Sequence, residues 1–190
     1  VLDPASGLFD DARRALSPNR DLRPPGVAID AVVLHAISLP PDSFGGDDIE
    51  RLFTNCLNPD AHPFYREIAG LRVSSHLLIR RDGELVQFVP CHERAWHAGA
   101  SCLFGRGRCN DFSVGVELEG CDSRPFEEAQ YRRLEAVLGE LMTVYPAIAP
   151  ERIVGHCHIA PGRKTDPGPC FDWGRLQRSL GVPQPHAHHP

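Results

Sequence analysis

Three side chains in distant parts of this sequence have the chemistry to hold one divalent metal ion: His35, His156 and Asp166. Two imidazoles and one carboxylate form a borderline-soft donor set that suits Zn2+ and leaves a fourth position for water. His35 follows an apolar run and so does His156, while Asp166 lies in a Pro/Gly-rich loop, PGRKTDPGP. No local spacing rule joins the three, in contrast to two ligands one turn apart on a helix. A lone histidine at a strand end is more often structural than ligating.

Glu117 adds weight. It sits in SVGVELEG, an otherwise apolar run, and burying an unpaired carboxylate is costly. Strand alternation puts Val114, Val116 and Leu118 on one face and Gly115, Glu117 and Glu119 on the other, which faces either a cleft or solvent. Lys164 is two residues from Asp166; without a metal site it reads as a solvated loop lysine, as does its neighbour Arg163. His76 and His97 read as structural imidazoles. The tail containing His186, His188 and His189 reads as a frayed terminus, outside any site.

Strands must present these groups. Ile29 to Leu34 (IDAVVL) reads as a strand buried on both faces. His76 to Arg80 and Leu85 to Val89 flank an Asp-Gly pair, a strong hairpin signal. Ser113 to Leu118 is a further strand, and Arg152 to Gly155 leads into His156. Asp47 and Asp48 cap a short helix running to about Asn55. From Pro125 to Tyr145, apolar residues at Tyr131, Leu134, Leu138, Leu141 and Tyr145 recur at helical spacing, and Pro146 stops the helix. Phe171 to Leu180 closes the chain as a helix. Pro18, Pro24, Pro25 and Gly26 mark an irregular entry segment, and the stretch from Asn58 to Ser74 is expected to be irregular; so long a loop is usually functional or disordered. The pattern predicts one mixed α/β domain over residues 1–190, a central sheet flanked by helices, with 183–190 as a flexible tail.

Lysine and arginine number 20 against 25 acidic residues, a net charge of −5, so phosphate-backbone binding is not the main activity and no nucleic-acid partner is expected. No apolar run approaches the ~20 residues that span a bilayer, and Val1 to Arg20 lacks the apolar core of a signal peptide. Seven cysteines without regular spacing suit reduced thiols, and hence the cytoplasm, better than a disulfide framework. No membrane association or obligate protein partner is expected.

The strings VVLHAISLPP, LRVSSHLLIRRDGELVQFVP, RAWHAG, CNDFSVGVELEG and GHCHIAPGRKTDPGPCFDW resemble those of the zinc-dependent N-acetylmuramoyl-L-alanine amidases, from about Ser17 to Trp173. Within that family they are most similar to the cytosolic branch acting on anhydromuropeptides. The resemblance implies cleavage of the amide between the muramic-acid lactyl group and L-alanine during peptidoglycan recycling, on a small-molecule muropeptide. It makes His35, His156 and Asp166 the zinc ligands, Glu117 the general base and Lys164 the cation beside the tetrahedral oxyanion. It assigns Arg72 and Arg108 to peptide-stem carboxylates and Trp96 to the sugar and peptide cleft. The sequence departs from the family pattern at Ala36, where Asn is usual, at Gly162 in place of Glu, and at His158 in place of Asp or Asn. Competing readings are a non-catalytic binding module of the same fold, which would typically lack a zinc ligand, and another zinc hydrolase such as a deacetylase or phosphoesterase.

Overall fold

The structure, a computed structural model, describes residues 1–184, so the histidines of the tail lie outside the described residues. The six-stranded sheet contains β1 (Arg13–Arg14), β2 (Ala31–Ile37), β3 (Leu77–Ile79), β4 (Leu85–Gln87), β5 (Ser113–Glu119) and β6 (Ile153–Gly155). The helices are α1 (Asp48–Phe53), α2 (Tyr65–Ile68), α3 (Glu128–Val144), α4 (His156–Ile159) and α5 (Trp173–Leu180). Across the sheet the strands run β6-β2-β5-β3-β4-β1. All neighbours are parallel except the antiparallel hairpin β3-β4 formed around Asp82-Gly83.

A parallel sheet must be covered on both faces, so its strands become continuously apolar. Every residue of β5 is buried, as are Ala31 to His35 in β2. Val32, Leu34, Val114, Val116 and Leu118 pack with Tyr131, Leu134, Leu138 and Leu141 of α3 and Leu176 of α5. Leu78, Val86 and Phe88 pack on the other side with Ile49, Leu52 and Phe53 of α1 and Tyr65 of α2. Gln130, buried inside α3, accepts from the Glu127 amide at 3.0 Å and donates to the carbonyls of Ile79 and Glu119, which fixes the helix to the ends of β3 and β5.

Three expectations need correction. The entry segment marked by Pro18 to Gly26 is irregular except at Arg20–Asp21, which pairs with Arg94–Ala95; ahead of it, where no element is expected, Arg13–Arg14 forms an edge strand and Leu2–Asp3 pairs with Leu8–Phe9. Two-residue bridges are too short to show the alternation by which a strand is recognised. The stretch from Asn58 to Ser74 contains α2, which is a single turn. The strand expected to end at Leu34 continues to Ile37, so His35 lies within a strand.

Helix α5 starts at a side-chain cap: the Asp172 carboxylate accepts from the Arg175 amide at 3.0 Å. Asp172→Ala should therefore lower stability by about 1 kcal/mol. At this chain size that is about 2–4 °C in melting temperature, read by calorimetry.

Candidate active site

Register brings the candidate residues together. In the parallel pairing of β2 and β5, Glu117 is level with His35. On the other flank Gly155 is level with Leu34, so His156, the next residue, emerges beside His35. Three adjacent strands thus deliver an imidazole, an imidazole and a carboxyl near their C-terminal ends, where open α/β sheets place ligands. Asp166 arrives from the loop after α4, whose return is pinned by a hydrogen bond from the Cys157 amide to the Asp166 carbonyl, 2.9 Å. That approach needs Gly155, where a Cβ would stand 2.7 Å from the Pro167 ring.

His35 Nδ1 lies 3.0 Å from His156 Nδ1 and 3.0 Å from Asp166 Oδ2, and His156 Nδ1 is 3.1 Å from the same oxygen. Two ligands at about 2.0–2.1 Å from one tetrahedral ion stand roughly 3.3 Å apart, so this triangle is the right size for a shared ion. Among the described residues it is the one cluster of three or more His, Cys, Asp or Glu side chains arranged to hold a metal. The remaining ring nitrogens are engaged elsewhere: His35 Nε2 with His97 Nδ1 at 2.9 Å, His156 Nε2 with the Ala98 carbonyl at 3.1 Å. Both Nδ1 atoms are thereby directed inward. Burial pulls His35 down to about 4, with the adjoining Asp166 carboxylate opposing, so its imidazole is neutral and able to ligate at neutral pH. Asp166 is held below the usual carboxylate range, because its close contacts with the imidazoles of His156 and His35 outweigh the upward push of burial.

Glu117 is 7% exposed, so the solvent-facing alternative is excluded. Its Oε2 has no hydrogen-bond partner. Burial raises its pKa well above the ordinary value, the Asp166 charge raises it further, and Lys164 opposes both. Glu119, on the same face, is instead satisfied by Arg80 at 3.2 Å and by the Gly45 amide at 2.6 Å. The two carboxylates of one strand face therefore have different environments, one paired and one free to exchange a proton.

His35, His156, Glu117, Lys164, Asp166 and Trp96 all line a cavity of about 240 Å³. A second cavity of about 230 Å³ opens beside it, where Arg72 joins Trp96, Arg163 and Lys164. A third, of about 520 Å³, adjoins the metal-ligand triangle on the side of Pro41, Phe64 and Asp122. Trp96 donates from Nε1 to Asp21 at 3.2 Å, which sets the ring at the wall between the first two cavities. Arg108 lines none of these three. Its guanidinium is exposed and pairs with Asp111 at 3.1 Å.

Two residues do more than their sequence setting suggests. Arg163 is exposed in its loop, yet its guanidinium donates to the carbonyls of Ala98 and Ala100 at 2.8 and 2.7 Å. His97 bridges His35 and Ser113. Neither role could be found from local sequence, because each depends on a segment far away in the chain. Of the departures, His158 is accounted for: its Nδ1 accepts from the Gly155 amide at 2.8 Å, as a carboxylate or amide would at the start of α4. Ala36 lines two of the cavities with a methyl group alone.

The N-acetylmuramoyl-L-alanine amidase family model matches residues 25–169. The 1,6-anhydro-N-acetylmuramyl-L-alanine amidase AmpD of Salmonella typhimurium (strain SL1344) is 57% identical, over 94% of this chain and 95% of that protein. The crystal structure of a Se-Met AmpD derivative matches with a TM-score of 0.90 at 55% identity, covering 94% of this chain and 98% of the other. The Escherichia coli amidase AmiD, solved in complex with the substrate anhydro-N-acetylmuramic acid-L-Ala-D-γ-Glu-L-Lys, matches with a TM-score of 0.58 at 28% identity, covering 90% of this chain and 60% of that one. Sequence, fold and the histidine-carboxylate cleft lead to one assignment: this chain belongs to the N-acetylmuramoyl-L-alanine amidase family.

Proposed function

We propose that this chain is a zinc-dependent amidase that cleaves the bond between the lactyl group of 1,6-anhydro-N-acetylmuramic acid and L-alanine in soluble muropeptides. The observation that carries the reading is the convergence of two inward-directed imidazoles, one carboxylate and an unpartnered buried carboxyl in one cleft. The relatives' stated substrate supports the choice of amide. His35 Nδ1, His156 Nδ1 and Asp166 would hold the zinc ion, which when bound polarises a carbonyl and acidifies water.

The rest is the work of the chain's own side chains. Glu117 takes a proton from the attacking water and passes it to the departing amine, for which a raised pKa is suited. Lys164, in the same cavity, sets a fixed cation near the oxyanion. Trp96 offers an aromatic face to the sugar, and Arg72 a guanidinium fork to a stem carboxylate. Arg108 would have to exchange Asp111 for a substrate carboxylate to serve the same purpose. We assign the protein to the cytoplasm as one domain over residues 1–190. Seven free thiols support that compartment, and among the described residues no helix is long and apolar enough to cross a membrane.

Incubation of zinc-loaded protein with an anhydro-N-acetylmuramoyl peptide should release free peptide, followed by mass spectrometry. Intact muropeptide after prolonged incubation would refute the activity. Lys164→Met provides a pH test. Lys164 draws the Glu117 pKa down, and the base must be ionised to act. Removing the cation raises that pKa, so the acid limb of kcat/KM should move to higher pH, beyond any loss in rate. A limb that stays in place or moves to lower pH would separate Lys164 from Glu117.

A further inference from the structure

His97 and Ala98 are consecutive, and each engages the outer nitrogen of one metal-site histidine. His97 Nδ1 meets His35 Nε2 at 2.9 Å, and the Ala98 carbonyl meets His156 Nε2 at 3.1 Å. The segment is itself clamped: the amides of His97 and Ala98 both donate to Asn110 Oδ1, at 3.1 and 2.8 Å. The His97 ring has one place to lie. It rests on the backbone of β5 at Gly115, where a Cβ would stand 2.6 Å from its Cγ, and its edge meets His35 with centroids 5.1 Å apart at 89°.

Proton directions can be assigned from the far end of this chain of contacts. The Cys109 carbonyl can only accept, so the Ser113 hydroxyl donates to it, at 2.6 Å. Ser113 Oγ then accepts from His97 Nε2–H at 3.2 Å. A neutral imidazole carries one N–H, so His97 Nδ1 is an acceptor and receives His35 Nε2–H. His35 is left with its lone pair on Nδ1, facing His156 Nδ1 and Asp166. On the other side a carbonyl fixes His156 in the same sense.

We propose that His97 is a positioning residue for the metal centre: through the His35–His97–Ser113–Cys109 chain it selects the His35 tautomer and ring orientation that ligate through Nδ1. The proposal rests on the metal-centre reading above and extends it to a side chain outside the three-ligand cluster. Partners of this kind commonly change metal affinity about 10–100-fold when removed, because an imidazole that can rotate or hold the wrong proton must be reordered on binding.

His97→Phe keeps a ring against Gly115 but has no acceptor. His97→Asn places an amide oxygen near the Nδ1 position. Zinc affinity is measured by competition with a chromogenic chelator, and folding by the melting temperature of the metal-free proteins. The expected result is a roughly 10–100-fold weaker zinc affinity in His97→Phe, with most of it regained in His97→Asn. Metal-free melting temperatures should not follow that order. Equal zinc affinity in His97→Phe and the parent overturns the proposal, and so does an Asn variant as weak as the Phe variant. If His97→Phe does not fold, nitrogen-15 spectra of the zinc-loaded parent decide. His97 protonated at Nε2 and bare at Nδ1 is the expected state, and the opposite tautomer overturns it. A parent chain that takes up no zinc fails at an earlier point, removing the metal-centre reading and this proposal with it.

Discussion

Asp166→Ala should abolish zinc retention and turnover together while leaving the fold in place. The carboxylate is the one anionic donor of the triangle, with Oδ2 at 3.0 and 3.1 Å from the two imidazole nitrogens. Two imidazoles alone offer neither its charge nor a third point of a tetrahedron. The loop does not depend on the side chain, because its backbone carbonyl holds the Cys157 amide and Ala preserves that bond. Zinc per chain after dialysis, measured by mass spectrometry of the metal, should fall from near one to near background. The circular dichroism spectrum should match the parent's. Asp166→Asn separates charge from shape, since it keeps the geometry and removes the anion, and it should resemble Ala far more than the parent. A dialysed Asp166→Ala protein still carrying stoichiometric zinc would mean that the ion sits elsewhere.

The donor set was legible by residue type, and its assembly was not. Nothing in local spacing says that His35 and His156 share an ion; the parallel pairing of β2 with both β5 and β6 does. Long elements with a clear period, such as β5 and α3, were readable because burial on a sheet or helix face imposes that period on the residues. The two-residue bridges before Ile29 and the single turn α2 impose none. Glu117 shows the same limit at one residue: alternation placed it on a face, but whether that face met a cleft or water depended on packing from elsewhere. His97, expected to be structural, and Arg163 have partners that lay out of reach for a related reason. Their roles depend on Ser113, Ala98 and Ala100, which no window around either residue connects to the site. Resemblance to a family supplied ligand roles that residue chemistry left open, while Arg108, matched in the same way, stands apart from the three cavities around the ligands.

Glu117→Gln should keep its zinc and lose roughly two to four decades of turnover, the range for removing a general base. The residue is not among the three ligands, so metal content tests the assignment independently of rate. Gln matches the shape of Glu and cannot take up a proton. Stability gives a second, opposite readout. Burial raises the Glu117 pKa above its ordinary 4.5, so in the metal-free protein the folded state binds its proton more tightly than the unfolded chain does. The associated stability is fully present below pH 4.5 and is lost as pH rises through the raised value. Gln removes that loss, and metal-free Glu117→Gln should melt above the parent at neutral pH, the gap closing as the pH falls toward 4 (about the ordinary carboxyl pKa). A variant both more stable and far slower is the signature of a carboxyl held unpartnered for its chemistry rather than for packing. Normal turnover in Glu117→Gln would assign the proton transfer to another group, and an unchanged melting temperature across that pH range would mean its carboxyl is solvated as an ordinary surface acid.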